Sequence, residues 1–187
     1  PASRGPRLGR WIVTALGKDR PGIVAGVTQV LYRLGCNLED SAMTRLEGEF
    51  SIMLIFSSHT SHTLAALQHA FATLERTLKL VVHVKSLSAQ EATPPRKRGT
   101  AHQISVYGAD RPGIVFRITS LLARTKINIT NVHTHRSRGA GPSLYLLLLE
   151  VEIPTPRAVT SLERQLKATA RHLGVTVSLR PAETEVL

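Results

Sequence analysis

Cysteine, aromatic residues and long apolar runs are all scarce in this chain. Its 187 residues include one cysteine, Cys36, which excludes an internal disulfide and is typical of a reducing compartment. One Trp, three Tyr and four Phe are too few to build the base-stacking surface with which RNA-recognition sheets work. Charged residues interrupt every apolar stretch well short of the ~20 residues that a membrane helix needs. We therefore predict a cytoplasmic protein that does not enter a membrane.

Acidic residues are also few, since 13 Asp/Glu stand against 24 Lys/Arg and give a net charge of +11. The imbalance is concentrated in residues 93–187, which hold fourteen Lys/Arg and six Asp/Glu. Such an excess of positive charge attracts acidic or phosphate-rich partners. An apolar content of 42% is nevertheless that of a globular chain. Residues 1–10, with three arginines and no acid, are predicted to be a flexible tail, with a targeting remnant as the alternative.

The chain contains an internal duplication. The hexapeptide Asp-Arg-Pro-Gly-Ile-Val occupies residues 19–24 and returns unchanged at residues 110–115. An asparagine follows the aspartate by eighteen residues in both copies, at Asn37 and Asn128. In each copy the hexapeptide separates an apolar run from a helix-spaced one, so it is predicted to form a strand-to-helix turn. Two equivalent sites, one per repeat, are the first place to look for function.

Apolar periodicity predicts the same six elements in each repeat. In the first repeat, strands are predicted over residues 11–16, 38–46, 50–56 and 80–84, and helices over residues 21–34 and 64–78. This order is the βαββαβ plan of ferredoxin-like α+β folds, in which two helices cover one face of a four-stranded antiparallel sheet. We predict two such domains at residues 11–87 and 102–181, with a linker at 88–101 and a tail at 182–187.

The third predicted strand of each repeat is apolar on both faces. Helices can cover only one face of a four-stranded sheet, so the other face is predicted to meet the sister domain or another chain. The alternative is a central strand that leaves some aliphatic side chains exposed. We predict a homo-oligomer. The residues concerned are Phe50, Ile52, Leu54 and Phe56 against Met53 and Ile55, and Leu144, Leu146 and Leu148 against Tyr145, Leu147 and Leu149.

The repeated turn combines groups that suit a free amino acid. Proline disfavours helical geometry in the residue before it, so Pro21 is predicted at the first helical position, with Asp19 just outside the helix. Free amides at a helix start attract a carboxylate, the aspartate attracts an ammonium group, and Gly22 leaves room for a ligand. A nucleotide phosphate would be repelled by the aspartate. The alternative is that the hexapeptide is only a well-formed helix start.

Several runs in the first repeat resemble tandem ACT-domain proteins. They are Leu-Gly-Lys-Asp-Arg-Pro-Gly-Ile-Val at 16–24, Gly-Cys-Asn-Leu-Glu-Asp-Ser at 35–41, Met-Thr-Arg-Leu at 43–46 and Gly-Glu-Phe at 48–50. More narrowly, residues 11–181 are similar to the glycine cleavage system transcriptional repressor family. The resemblance implies domains paired side by side, an amino-acid effector at their interface, and control of a partner protein rather than direct DNA contact. Glycine and serine are the first ligands that it suggests.

The resemblance also assigns site residues. In the regulatory domain of phosphoglycerate dehydrogenase, the effector is bound by the residue before Arg-Pro-Gly, by the residue two positions earlier, and by the asparagine after the first helix. The two glycines of this chain that replace the earlier residue, a histidine in that enzyme, can offer only their backbone. With their neighbours, the predicted ligand-binding residues are Gly17, Lys18, Asp19, Arg20, Pro21, Gly22, Ile23, Asn37 and Leu38, and then Gly108, Asp110, Arg111, Pro112, Gly113, Ile114, Asn128 and Ile129.

The second repeat departs from the repressor pattern. Lys126 stands where Gly35 ends the first helix of repeat one, and Thr-Asn-Val at 130–132 replaces Glu-Asp-Ser at 39–41. The two predicted sites therefore need not be equivalent.

A nucleic-acid-binding or purely protein-binding module without a small ligand is the main alternative function. The basic charge favours it, and weak, salt-sensitive nucleic-acid binding by the second half stays open. No strand, however, carries the basic-glycine-aromatic signature of RNA-recognition domains.

An enzyme is the other alternative. His133 and His135 share one face of a predicted strand, but no third ligand stands near them in the sequence. Arg20 and Asn37 are available for acylphosphatase-like chemistry, and Asp19 argues against it. We predict no catalytic residue, metal or cofactor.

Overall fold

The computed structural model describes residues 9–88, 91, 99–137 and 143–182. The chain divides into two compact units, Pro1–Pro94 (unit 1) and Pro95–Leu187 (unit 2), and the division falls inside the predicted linker. Most of that linker, including its prolines and basic run, lies outside the described residues, as do residues 1–8 and 183–187 of the predicted tails. Among the described residues, no helix is both long and apolar enough to cross a membrane.

Each unit folds in the predicted βαββαβ order, with the sheet order second-third-first-fourth and antiparallel neighbours throughout. The predicted α+β fold is therefore confirmed. Unit 1 contains β1 (Gly9–Lys18), α1 (Ile23–Arg33), β2 (Cys36–Leu46), β3 (Glu49–Ser58), α2 (Leu64–Leu78) and β4 (Val81–Ser86). Unit 2 contains β5 (Thr100–Ala109), α3 (Ile114–Arg124), β6 (Asn128–Arg136), β7 (Leu144–Ile153), α4 (Pro156–Leu173) and β8 (Val175–Pro181).

Each unit has its own core between its helices and one face of its sheet. In unit 1 the buried residues of α1 recur every four positions, at Ile23, Val27 and Leu31, and so form one stripe of the helix. They belong to the same core as alternate residues of β3, such as Ile52 and Leu54. Unit 2 repeats this arrangement around Ile118, Leu122, Leu147 and Leu149. The helices of each unit therefore cover one of the two apolar faces of its central strands.

The opposite face of each sheet is not covered by the helices of its own unit. Met53 and Leu16 are about half exposed there in unit 1, as is Tyr107 in unit 2. Exposed apolar groups on a sheet face are typical of a contact surface. The expected partner for this face stays a prediction.

The sheet connections determine which loops are neighbours. Because β1 and β2 are both antiparallel to β3, they run parallel to each other and both end where β3 begins. The last residues of β1 and β2, Lys18 and Leu46, both lie opposite Glu49. The residues that follow β1 and those that end β2 are therefore close together. The start of β2 lies at the other end of the sheet.

Candidate functional site

The repeated turn has the same backbone shape in both units. Gly22 has φ 96° and ψ −9°, and Gly113 has φ 91° and ψ −2°. These angles match the third residue of a type II turn, a position that favours glycine, with proline common just before it. Helices α1 and α3 begin only after these glycines, at Ile23 and Ile114, and no side chain caps them. The prediction that Pro21 and Pro112 occupy the first helical position is therefore wrong, because a left-handed glycine separates each proline from its helix.

In unit 1 the motif aspartate is fixed by its backbone and paired through its side chain. The Asp19 N–H donates to the Gly48 carbonyl at 2.9 Å, which ties the turn to the β2–β3 connection. The Asp19 carboxylate then meets Arg45, with 3.2 Å between Oδ2 and Nη1. Arg45 lies one residue before the end of β2, as expected from the parallel course of β1 and β2.

Unit 2 builds an equivalent pair on a different connection. The Asp110 N–H donates to the Ser143 carbonyl at 2.9 Å, and Asp110 Oδ2 lies 3.0 Å from Arg136 Nε. The same Nε donates to Ser143 Oγ at 3.0 Å. The two units therefore place an aspartate–arginine ion pair beside the same turn.

The two arginines were not among the predicted ligand-binding residues. A signal for them was available, since Arg45 follows Asp19 by 26 residues and Arg136 follows Asp110 by the same number. Roughly two thirds of each arginine side chain and one third of each aspartate side chain are exposed. An ion pair so open to water contributes only about 0–1 kcal/mol to folding. Fold stability alone gives little reason for both repeats to carry it.

The asparagines do not join the aspartates within one unit. Asn37 lies opposite Ser57 on β3, whereas the residue before Asp19, Lys18, lies opposite Glu49. Positions 49 and 57 are eight residues apart, and a strand rises ~3.3 Å per residue, so the two groups are separated by about 26 Å. Asn128 lies near the same far end in unit 2, opposite Glu152. The aspartate and the asparagine of one repeat therefore do not meet within one unit, because α1 carries the chain back along the sheet between them.

The neighbours of the asparagines lie with them at the far end. Leu38 is about half exposed and Ile129 packs against the core of unit 2. Each asparagine is followed by a β-bulge, at Glu39 in unit 1 and Thr130 in unit 2, where the register with the central strand shifts by one residue. Bulges redirect side chains and are frequent near functional sites.

Gly17 and Gly108 have a packing role. A Cβ on Gly17 would lie 3.1 Å from the Lys79 carbonyl oxygen and 2.8 Å from a methyl of Leu80. A Cβ on Gly108 would lie 2.9 Å from a methyl of Val175. A side chain at either position would therefore force the start of the fourth strand to shift.

The remaining predicted residues differ in what they can offer a ligand. Ile23 and Ile114 are buried in the cores, so only their backbone amides can take part. Arg111 donates from Nη1 to the Leu173 carbonyl at 3.4 Å and so stabilises the end of α4. Lys18, Pro21 and Pro112 are exposed beside the turn, and Arg20 is half-buried.

Among the residues that the structure describes, the other reactive groups do not form a cluster. His133 and His135 are exposed on β6, opposite Leu148 and Leu146. Within the described ranges, no three His, Cys, Asp or Glu residues are placed to hold a metal ion.

Burial raises the pKa of the Cys36 thiol, and a hydrogen bond with Ser58 only partly offsets this, so the thiol stays protonated at neutral pH. A hydrogen bond from Ser57, with a smaller effect of Arg10, lowers the pKa of Glu39.

Comparison with known proteins gives a consistent result for both halves. ACT-domain family models match residues 10–85 and residues 102–167. The glycine cleavage system transcriptional repressor of Escherichia coli (strain K12) is 34% identical over 122 residues, which cover 65% of this chain and 62% of the repressor. The match therefore spans less than two thirds of that relative's length.

Two solved structures have the same fold over almost the whole chain. A structure described as an unknown protein from Galdieria sulphuraria has a TM-score of 0.76 at 25% identity, covering 94% of this chain and 99% of its own. A putative glycine cleavage system transcriptional repressor has a TM-score of 0.70 at 18% identity, covering 95% and 99%.

Proposed function

This chain belongs to the ACT-domain family, with one such domain in each half, and we propose that it is a non-catalytic regulatory protein that senses a free amino acid. The observation that carries the proposal is the duplicated turn, in which a fixed aspartate and an arginine lie side by side and open to solvent. The similarity to a glycine cleavage system transcriptional repressor supports a regulatory role. We further propose that the protein acts in the cytoplasm on a partner protein, with glycine and serine as the first effectors to try.

We further propose that a second ACT domain completes the site. Asn37 lies about 26 Å along the sheet from the turn of its own unit, so in the proposed site its amide meets an effector at the turn of another copy of the domain. The same holds for Asn128. The uncovered, partly apolar sheet faces also favour association. We therefore expect a homo-oligomer in which the turn of one domain and the asparagine of another hold the effector.

Thermal unfolding in the presence of each of the twenty amino acids tests the proposal. A ligand that binds only the folded protein stabilises it by about 2.7 kcal/mol at a hundred times its Kd, which raises the Tm by several degrees. We expect one or a few amino acids to produce this shift. The control is sodium chloride at matched ionic strength. If no amino acid raises the Tm above that control, the turns have only a structural role and the proposal is wrong.

A further inference from the structure

Each arginine of the two ion pairs keeps donors that have no partner among the described residues. Arg45 contacts Asp19 through Nη1, which leaves the edge formed by Nε and Nη2. Arg136 contacts Asp110 and Ser143 through Nε, which leaves the edge formed by the two terminal nitrogens. Two parallel N–H groups on one guanidinium edge are the arrangement that binds a carboxylate bidentately. Both arginine side chains are about two thirds exposed.

We propose that each aspartate–arginine pair is itself the recognition element for the α-amino and α-carboxylate groups of the effector. Arg45 and Arg136 bind the carboxylate, and Asp19 and Asp110 bind the ammonium group. The ammonium group of a zwitterionic amino acid faces the aspartate, and its carboxylate faces the arginine. The four groups therefore form a ring in which positive and negative charges alternate. The inference rests on the proposed function and adds Arg45 and Arg136 as the residues that bind the carboxylate.

The two repeats differ in the connection that follows the arginine, but both keep the aspartate–arginine ion pair. The connection from β2 to β3 has two residues, 47 and 48, whereas residues 137–143 connect β6 to β7. In both units the carbonyl that accepts the aspartate N–H belongs to the residue just before the third strand, Gly48 or Ser143. The arginine nitrogen that meets the carboxylate differs, Nη1 in unit 1 and Nε in unit 2. A pair that served only to fix the connection would depend on its length and shape, yet both repeats retain the pair.

A charge-matched set of variants tests this assignment. In Arg45→Gln/Arg136→Gln both guanidiniums are removed. The control is Arg33→Gln/Arg124→Gln, which removes two exposed arginines from the last positions of α1 and α3, themselves 91 residues apart like the test pair. Calorimetric titration uses glycine and serine first, then any amino acid that raises the Tm of the wild-type protein. Glycinamide, which has the ammonium group but no carboxylate, is the matched probe.

We expect the test variant to bind the amino acid at least tenfold more weakly than the control variant, and glycinamide to give no saturable binding to the wild-type protein. Affinity within threefold of the control, or tighter because Asp19 and Asp110 have been released, would overturn the role of the arginines and leave the amino-acid sensor intact. Glycinamide binding as tightly as the amino acid would also overturn it. If no amino acid binds the wild-type protein, the proposed function fails together with this inference.

Discussion

Asparagine in place of both Asp19 and Asp110 is expected to weaken binding of the stabilising amino acid by about tenfold to a hundredfold. Asparagine has nearly the same shape as aspartate and can still hydrogen-bond, but it lacks the charge that attracts the ammonium group. A hydrogen bond to a charged partner contributes about 1.5–3 kcal/mol, which corresponds to this range of affinity. The turn backbone does not depend on the carboxylate, since the aspartate N–H makes the bond to Gly48 or Ser143.

The chain provides its own control for that substitution. Asp40 Oδ1 accepts from the Ser41 N–H at 2.7 Å, and the corresponding residue of unit 2 is already an asparagine, Asn131, whose Oδ1 accepts from Val132 at 2.9 Å. Asp40→Asn therefore removes one acidic charge at a position where asparagine makes the same bond. We expect its affinity to match the wild-type value when measured by the Tm shift at several ligand concentrations. Equal weakening by the single Asp40→Asn change and by the double variant would show that net charge, and not the turn, governs binding.

Truncation of Phe71 to alanine is expected to destabilise unit 1 by about 3–5 kcal/mol. Phe71 is 1% exposed in the centre of that core, and replacing a buried phenylalanine by alanine removes apolar contacts and leaves a cavity. Trp11 is the only tryptophan of the chain and packs against the same core, so its fluorescence reports unit 1 alone. Urea unfolding followed by this fluorescence should show a markedly lower midpoint, while circular dichroism retains a later transition from unit 2.

The matched change in unit 2 is Leu166→Ala, which truncates a buried residue at the corresponding position of α4. We expect it to leave the Trp11 transition near its wild-type midpoint. Equal shifts of that transition in both variants would mean that the two units unfold as one, and the independent cores would then not correspond to independent folding units.

The fold could be predicted because its signals are local and repeated. Apolar residues at helical spacing, such as Ile23 and Val27, and alternating apolar residues in β3 are sufficient to indicate the six elements. The start of the first helix was predicted less accurately than its existence. The apolar pattern of the helix does not show that Gly22 adopts a left-handed conformation, because the turn that joins β1 to α1 determines it. The result is a helix that begins two residues later than predicted.

The site was only partly predictable, and the missing part follows from chain topology. In a βαββαβ unit the first helix carries the chain back along the sheet, so the residues just after α1 lie far from the end of β1. The second strand then runs parallel to the first, so its last residues lie close to the end of β1. The fixed spacing of Asp19 and Asn37 therefore reflects the length of α1 and not a contact. The equally fixed spacing of Asp19 and Arg45 does reflect a contact. Only the order of strands distinguishes the two cases.

The most direct test of the sensor is a nuclear magnetic resonance titration of the isotope-labelled protein with the amino acid that raises its Tm. We expect saturable shifts that are largest for the backbone amides of the non-proline residues in 19–24 and 110–115 and for the side-chain N–H groups of Arg45 and Arg136. Shifts confined to other parts of the sheets or helices, or the absence of any saturable shift, would contradict the proposed sensor.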